Sequence, residues 1–169
     1  MIGDNSEQII TPFQRLMQTS AIVSIYEKLW RRLGYFLASS RSFTKEIQTI
    51  LMHGKDKGED RALDLACGPG VFTRPLARQR KGIVIGLDLS WPMLRQAQRM
   101  MEKEQIKNIL FIRASAFGLP FADASFSYVN CCRALKLFEL PEAGLQQIRR
   151  ILAPEGQFCV QSTIRPSHS

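Results

Sequence analysis

From residue 61 onward, short apolar runs alternate with amphipathic segments, and this alternation leaves few folds open. The runs are Ala62–Ala66, Ile83–Asp88 (IVIGLD), Asn108–Arg113 (NILFIR), Phe126–Cys132 (FSYVNCC) and Gln157–Thr163 (QFCVQST). They are too short for buried helices and rich enough in β-branched and aromatic residues for strands. Between them, Phe72–Arg80 reads as a helix. A second helix starts after Ser90, a capping residue, with Pro92 in its first turn and Leu94, Ala97 and Met101 facing inward. A third opens at Pro141-Glu142, with Leu145, Ile148 and Leu152 inward, and Pro154-Glu155-Gly156 reads as a turn. Strands joined through helices require crossover connections. The expectation is an α/β fold, a doubly wound, Rossmann-like, mainly parallel sheet of about five strands with helices on both faces. In such sheets ligands bind beyond the carboxyl ends of the strands. The loops after Ala66, Asp88, Arg113 and Cys132 are therefore expected to line one crevice.

The first 52 residues have helical spacing, with Ile22, Tyr26, Leu29, Trp30 and Leu33 on one face and Phe43, Ile47, Ile50 and Leu51 on another. Residues 1–60 are read as a helical cap and linker, and residues 61–169 as the core, the two forming one compact unit. No apolar run reaches the roughly 18 to 20 residues that span a bilayer, and Met1–Asn5 is not the start of a secretory signal, so a cytoplasmic location is expected. Cys67, Cys131, Cys132 and Cys159 form no CxxC pair and suit small buried thiols in a reducing compartment. His53 and His168 are the only histidines and have no ligand spacing, so no metal site is expected. The net charge is +8. Residues 1–60 hold 8 basic and 7 acidic side chains, so the basicity belongs to the core. Arg95, Arg99, Lys103 and Lys107 recur every four residues, and Arg78, Arg80 and Lys81 precede them. This stripe is either a solvated helix face or a surface for an anionic membrane, with nucleic acid less favoured.

The first strand runs into Cys67-Gly68-Pro69-Gly70. Gly68 and Gly70 let the backbone turn sharply and approach a ligand, and the following helix offers free N–H groups. Asp88 ends the next strand, 18 residues after Gly70, where an acid can accept both hydroxyls of a ribose. Asp64, inside an apolar strand, is costly unless paired with a cation or with donors such as the N–H groups of the turn. A pyrophosphate-binding G-x-G-x-x-G would need a third glycine where Thr73 stands, and Asp64 is badly placed for phosphate. The pattern suits a cationic nucleoside without phosphate.

With LDLACGPG, VIGLDLSWPMLRQA, LPFADASFSYV and LQQIRRILAPEGQF in this order, the chain resembles the class I S-adenosylmethionine-dependent methyltransferases over Arg61–Thr163. It is most similar to the ubiquinone and menaquinone biosynthesis subgroup. The resemblance implies S-adenosyl-L-methionine as cofactor, with Asp64, Ala66, Cys67, Gly68 and Gly70 around its methionine part. It places Asp88 at the ribose and Leu89 and Met93 beside the adenine. In the family's G-D-A-x-x-L-P-F stretch the acid contacts the adenine amino group. Here Ser115 replaces it, and Ala116 and Phe117 are left to give backbone and stacking contacts. Ala66 stands where a glycine is usual, at a position expected to need closeness more than an unusual φ. Ser127 replaces a second acid, and Leu135-Lys136-Leu137 stands where many relatives have a histidine pair.

Tyr26, Trp30 and Arg133 are the candidates for contact with a small, lipophilic substrate. No general base is identified. Family members continue past the fifth strand, so this strand is expected to be an edge, in a fragment, in a truncated product, or covered by a partner or a second copy. The last strands of the usual sheet are expected to be absent. The competing readings are a non-catalytic scaffold, favoured by Ser115 and the short C-terminus, a nicotinamide-dependent oxidoreductase, and an RNA methyltransferase. The Asn/Asp-Pro-Pro-aromatic signature is absent after strand four, where the sequence is NCCR.

Overall fold

The computed structural model describes residues 41–54 and 60–161, with backbone alone for 41–43. Its elements are α1 (Arg41–His53), β1 (Ala62–Leu65), α2 (Thr73–Arg78), β2 (Val84–Asp88), α3 (Trp91–Lys103), β3 (Ile109–Arg113), β4 (Phe126–Cys132), a 3-10 turn (Leu135–Leu137), α4 (Pro141–Ile151) and β5 (Leu152–Gln161). The five strands form one parallel sheet in the order β3-β2-β1-β4-β5. From β1 the chain winds outward to β2 and β3, then returns to place β4 on the other side of β1. That reversal opens a crevice at the carboxyl end of β1, where the glycine turn begins.

Period-2 alternation divides the core into two layers. Leu63, Leu65, Ile85, Leu87, Val129 and Cys131 pack with Ile148 and Ile151 of α4. Ala62, Val84, Tyr128 and Cys132 pack on the other face with Ile50 of α1 and Leu76 and Ala77 of α2. Each fully buried aliphatic side chain contributes about 1.5–3 kcal/mol. Close packing against β2 depends on a glycine. A Cβ at Gly86 would lie 2.7 Å from the Phe111 ring, so its absence lets that ring lie across β2. All four cysteines are buried free thiols, as the sequence suggests.

Residues 41–54 pack against the core. The Tyr128 hydroxyl donates to Ile50 O at 3.3 Å, and Arg80 Nη1 donates to Gly54 O at 2.6 Å. Arg80, expected in the surface basic stripe, is therefore buried, with Nη2 also donating to Asp60 Oδ1 at 2.7 Å. These bonds take Arg80 out of the stripe, and α2 ends at Arg78, two residues before the expected end.

Two further expectations change. Leu145 faces solvent, and the inner side of α4 is Gly144, Ile148 and Ile151. Leu152 begins β5 rather than closing the helix. The expected turn at Pro154–Gly156 lies within β5 as a bulge. Phe126 pairs with Leu152 but Tyr128 with Gln157, so three extra residues arch out, with Glu155 at φ 61°. An edge strand tolerates such a bulge and the missing N–H of proline.

Candidate functional site

The turn between β1 and α2 is built from left-handed residues. Gly68 and Gly70 have φ of +53° and +72°. Ala66 also lies there, at φ 55°, so this position does require an unusual backbone, contrary to the expectation that closeness alone mattered. An alanine in the left-handed region is strained, whereas glycine is not. Ala66→Gly is accordingly expected to stabilise the protein by about 0.5–1 kcal/mol, read as a higher denaturant midpoint at constant slope. A midpoint equal to or below that of the parent would show that Ala66 is unstrained.

The two glycines do different work. Around Gly68 nothing lies within 4 Å of where a Cβ would be, leaving open space beside the turn. At Gly70 a Cβ would meet Ala97 of α3 at 3.1 Å, so this glycine lets α3 approach the loop. Arg74 braces the turn, its Nη1 donating to Pro69 O and Gly70 O at 2.9 Å each while its Nε pairs with Glu104 at 3.0 Å. The Cys67 thiol is pushed up by burial and stays neutral.

Asp88, at the end of β2, faces this turn. Its Oδ2 accepts the Gly68 N–H and its Oδ1 the Ser90 N–H, both at 2.8 Å. The acid thus ties the residue that precedes α3 to the turn, while the Ser90 hydroxyl, expected to cap the helix, makes no cap bond. Burial raises the Asp88 pKa, and the backbone N–H groups of Ser90, Gly68 and Leu89 oppose the rise. A carboxylate offers about four acceptor positions. The Gly68 and Ser90 bonds take one each, and the carboxylate keeps capacity for a further hydroxyl donor.

Asp64 is 2% exposed. The sequence leaves a ligand cation or the turn's N–H groups as its partners. The structure instead gives it the Thr73 hydroxyl, 2.5 Å from Oδ2, and the Asn130 amide nitrogen, 2.7 Å from Oδ1. Thr73 and Asn130 are the partners of Asp64 that sequence reasoning missed. Their signals were present: a hydroxyl where a third glycine would stand, and an amide inside the apolar run of β4.

The remaining candidates are scattered around the crevice. Leu89 O accepts the Arg113 Nε at 2.9 Å. Met93 is buried on the inner side of α3. Ser115 Oγ accepts the Phe117 N–H at 3.2 Å, closing a local turn. The Phe117 ring packs edge-on against Phe138, with centroids 5.7 Å apart. Phe117 and Ala116 are both partly buried and pack against the apolar core. Arg133 has φ 61° and its Nη2 lies 2.7 Å from Glu46 Oε2 of α1. Glu46 had no distinguishing signal in the sequence. Tyr26 and Trp30 lie outside the described residues. Of the basic stripe, Arg95, Arg99, Lys103 and Lys107 are exposed, and Arg78 pairs with Glu104 at 2.8 Å. Among the described residues no helix is long and apolar enough to cross a membrane.

A family model described as a methyltransferase domain matches residues 62–156. A demethylmenaquinone methyltransferase of Lactiplantibacillus plantarum is 36% identical over 107 residues, covering 62% of this chain and 45% of that protein. An uncharacterized chloroplastic methyltransferase of Arabidopsis thaliana is 29% identical over 154 residues, covering 88% of this chain and 43% of that protein. The match thus spans under half the length of either relative. The crystal structure of a SAM-dependent methyltransferase from Aquifex aeolicus superposes with a TM-score of 0.63 at 18% identity, over 73% of this chain and 68% of that one, which shows a shared fold.

Proposed function

The chain belongs to the methyltransferase-domain family, and from that premise we propose that it binds S-adenosyl-L-methionine beyond the carboxyl ends of β1 and β2 and serves methyl transfer to a small, lipophilic acceptor. The observation that carries this reading is the pair of acids around the glycine turn. Asp88 keeps acceptor capacity for ribose hydroxyls, and Asp64 is a buried anion with no paired cation among the described residues. The open space beside Gly68 lies between them in sequence and gives a ligand room against the backbone.

When bound, the cofactor supplies a methyl group already activated by its sulfonium charge. The chain's own contribution is to hold and orient it. Asp88 anchors the ribose, the turn from Ala66 to Gly70 shapes the methionine end, and Leu89 and Ser115 border the base. Burial keeps the Cys67 thiol protonated, so it does not compete as a nucleophile. In-line displacement needs positioning and exclusion of water more than a protein nucleophile.

A lipophilic acceptor is supported by the exposed apolar side chains that follow β2 and β4, namely Trp91, Leu137 and Leu140. It also agrees with the name of the Lactiplantibacillus relative. The exposed basic face of α3 suits an anionic membrane surface from which such an acceptor is taken.

Calorimetric titration tests the cofactor. S-adenosylhomocysteine is expected to bind saturably and NADH not at all. Silence with both would remove the cofactor assignment and leave the reading of a scaffold that keeps the fold.

A further inference from the structure

Asp64 stands in the middle of the sheet in an environment that penalises its charge. It pairs in register with Gly86 on one side and Asn130 on the other. Its two bonded donors, the Thr73 hydroxyl and the Asn130 amide, are both neutral. Burial raises its pKa to about 6, the Thr73 and Asn130 bonds oppose that rise, and the charge on Asp88 adds to it. For folding alone, an amide or an apolar residue would serve better at this place, because a buried carboxylate without a counter-charge is destabilising.

Asn130 has no exposed surface. Its Nδ2 serves Asp64, while its Oδ1 is buried with no hydrogen-bond partner. Turning the amide over would set its oxygen against an anionic oxygen. The orphaned Oδ1 is therefore the cost of aiming a donor at Asp64, and such a cost is not expected from packing alone. Thr73 is likewise fully buried, at the first residue of α2, where the chain leaves the glycine turn.

We propose that Thr73 and Asn130 are positioning residues that keep Asp64 ionised near neutral pH, so that a fixed negative charge behind the glycine turn favours the sulfonium cofactor over its neutral, demethylated product. This rests on the cofactor reading above. Neither residue needs to touch the ligand, since a charge in a poorly solvated site acts across several ångströms. The consequence is discrimination: the cation is held and the neutral thioether is released.

The other ionisable groups coupled to Asp64 are Asp88 at the end of β2, Cys67 in the turn, and Tyr128, Cys131 and Cys132 on β4. Burial raises all the thiols and the phenol, so they carry no charge at neutral pH. Arg74, next to Thr73, is engaged with Glu104 and the loop carbonyls.

The test measures affinity for S-adenosylmethionine and for S-adenosylhomocysteine from about pH 5 to about pH 8, together with the titration of the Asp64 carboxyl carbon by NMR. The parent protein is expected to prefer the sulfonium form, with the preference fading as pH falls through about 6. In Thr73→Val a carboxyl midpoint moved up by about one unit should lower the preference about twofold at pH 7, where the ionised fraction drops from about nine-tenths to about one-half, and about tenfold near pH 5. Thr73→Ser should restore both. Asn130→Leu should act as Thr73→Val does, and it provides a second reading if that variant fails to fold. A folded Thr73→Val or Asn130→Leu with the parent's midpoint and the parent's ratio overturns the proposal. If neither ligand binds the parent, the cofactor reading fails. The carboxyl titration then still decides whether the two residues set the ionisation of Asp64.

Discussion

Asp88→Ala is expected to weaken binding of S-adenosylhomocysteine by about 100-fold or more. Two hydroxyl-to-carboxylate hydrogen bonds are lost, each with a net value of about 1.5–3 kcal/mol. The substitution also leaves the Gly68 and Ser90 N–H groups without their acceptor. A stability loss of about 1–3 kcal/mol should accompany the loss of affinity. The two effects are separable. Asp88→Asn keeps one carboxamide oxygen and the shape of the side chain, so its affinity should fall between those of the parent and Asp88→Ala. A 2′-deoxy form of the ligand should bind the parent less well and should lose only about half as much binding free energy on Asp88→Ala, because one of the two hydroxyls that Asp88 reads is already gone. Calorimetry at a temperature where circular dichroism shows each variant folded checks all three. An affinity unchanged by Asp88→Ala would mean that this acid only ties the glycine turn to α3.

Asp64→Asn is expected to make the ligand-free protein more stable at neutral pH. The folded-state pKa of Asp64 is raised from 3.8 to about 6. Over that interval the native state binds more protons than the unfolded state, so stability falls as pH rises. The contribution is fully favourable below the unfolded value and is lost by the time pH passes the folded one. The size of the fall is on the order of 3 kcal/mol for this group. Asparagine removes the titration while keeping a donor and an acceptor for Thr73 and Asn130. The difference in unfolding free energy between variant and parent should therefore grow from about pH 4 to about pH 6 and then level off. Asp88, whose pKa is also raised, slopes the same way in both proteins and largely cancels in the difference, since its charge is the smallest of the influences on Asp64. Urea unfolding across this range provides the measurement. A flat difference would show that Asp64 ionises in the folded protein as it does in the unfolded chain. The same variant should lose the preference for the sulfonium ligand, so that stability and function move in opposite directions at one residue.

Most of the sheet was legible because strand periodicity is local. Leu63, Leu65, Ile85 and Leu87 alternate with residues of the opposite face, and each run ends where glycine, proline or a polar cluster begins. Asp88 and the two glycines were legible for the same reason, since the distance along the chain from turn to acid is set by one helix and one strand. The errors arose where a long-range partner overrode a local preference. Arg80 looks like a surface cation in sequence, yet Gly54 and Asp60, from before β1, draw it inside. Pro154-Glu155-Gly156 has the composition of a turn, and pairing with β4 on both sides makes it a bulge.

The amino-acid sequence alone determined that this chain forms a parallel α/β sheet with a glycine turn and an acid at the ends of adjacent strands, because those features depend on residues close together in the chain. What Asp64 is bonded to was decided by the tertiary structure alone. Its donors come from α2 and from β4, 9 and 66 residues away, and only the strand order that seats β4 against β1 brings Asn130 beside it. Hydrogen bonds and burial depend on distance in space, so the ionisation of that carboxyl, and the charge it presents behind the turn, could not be read from spacing.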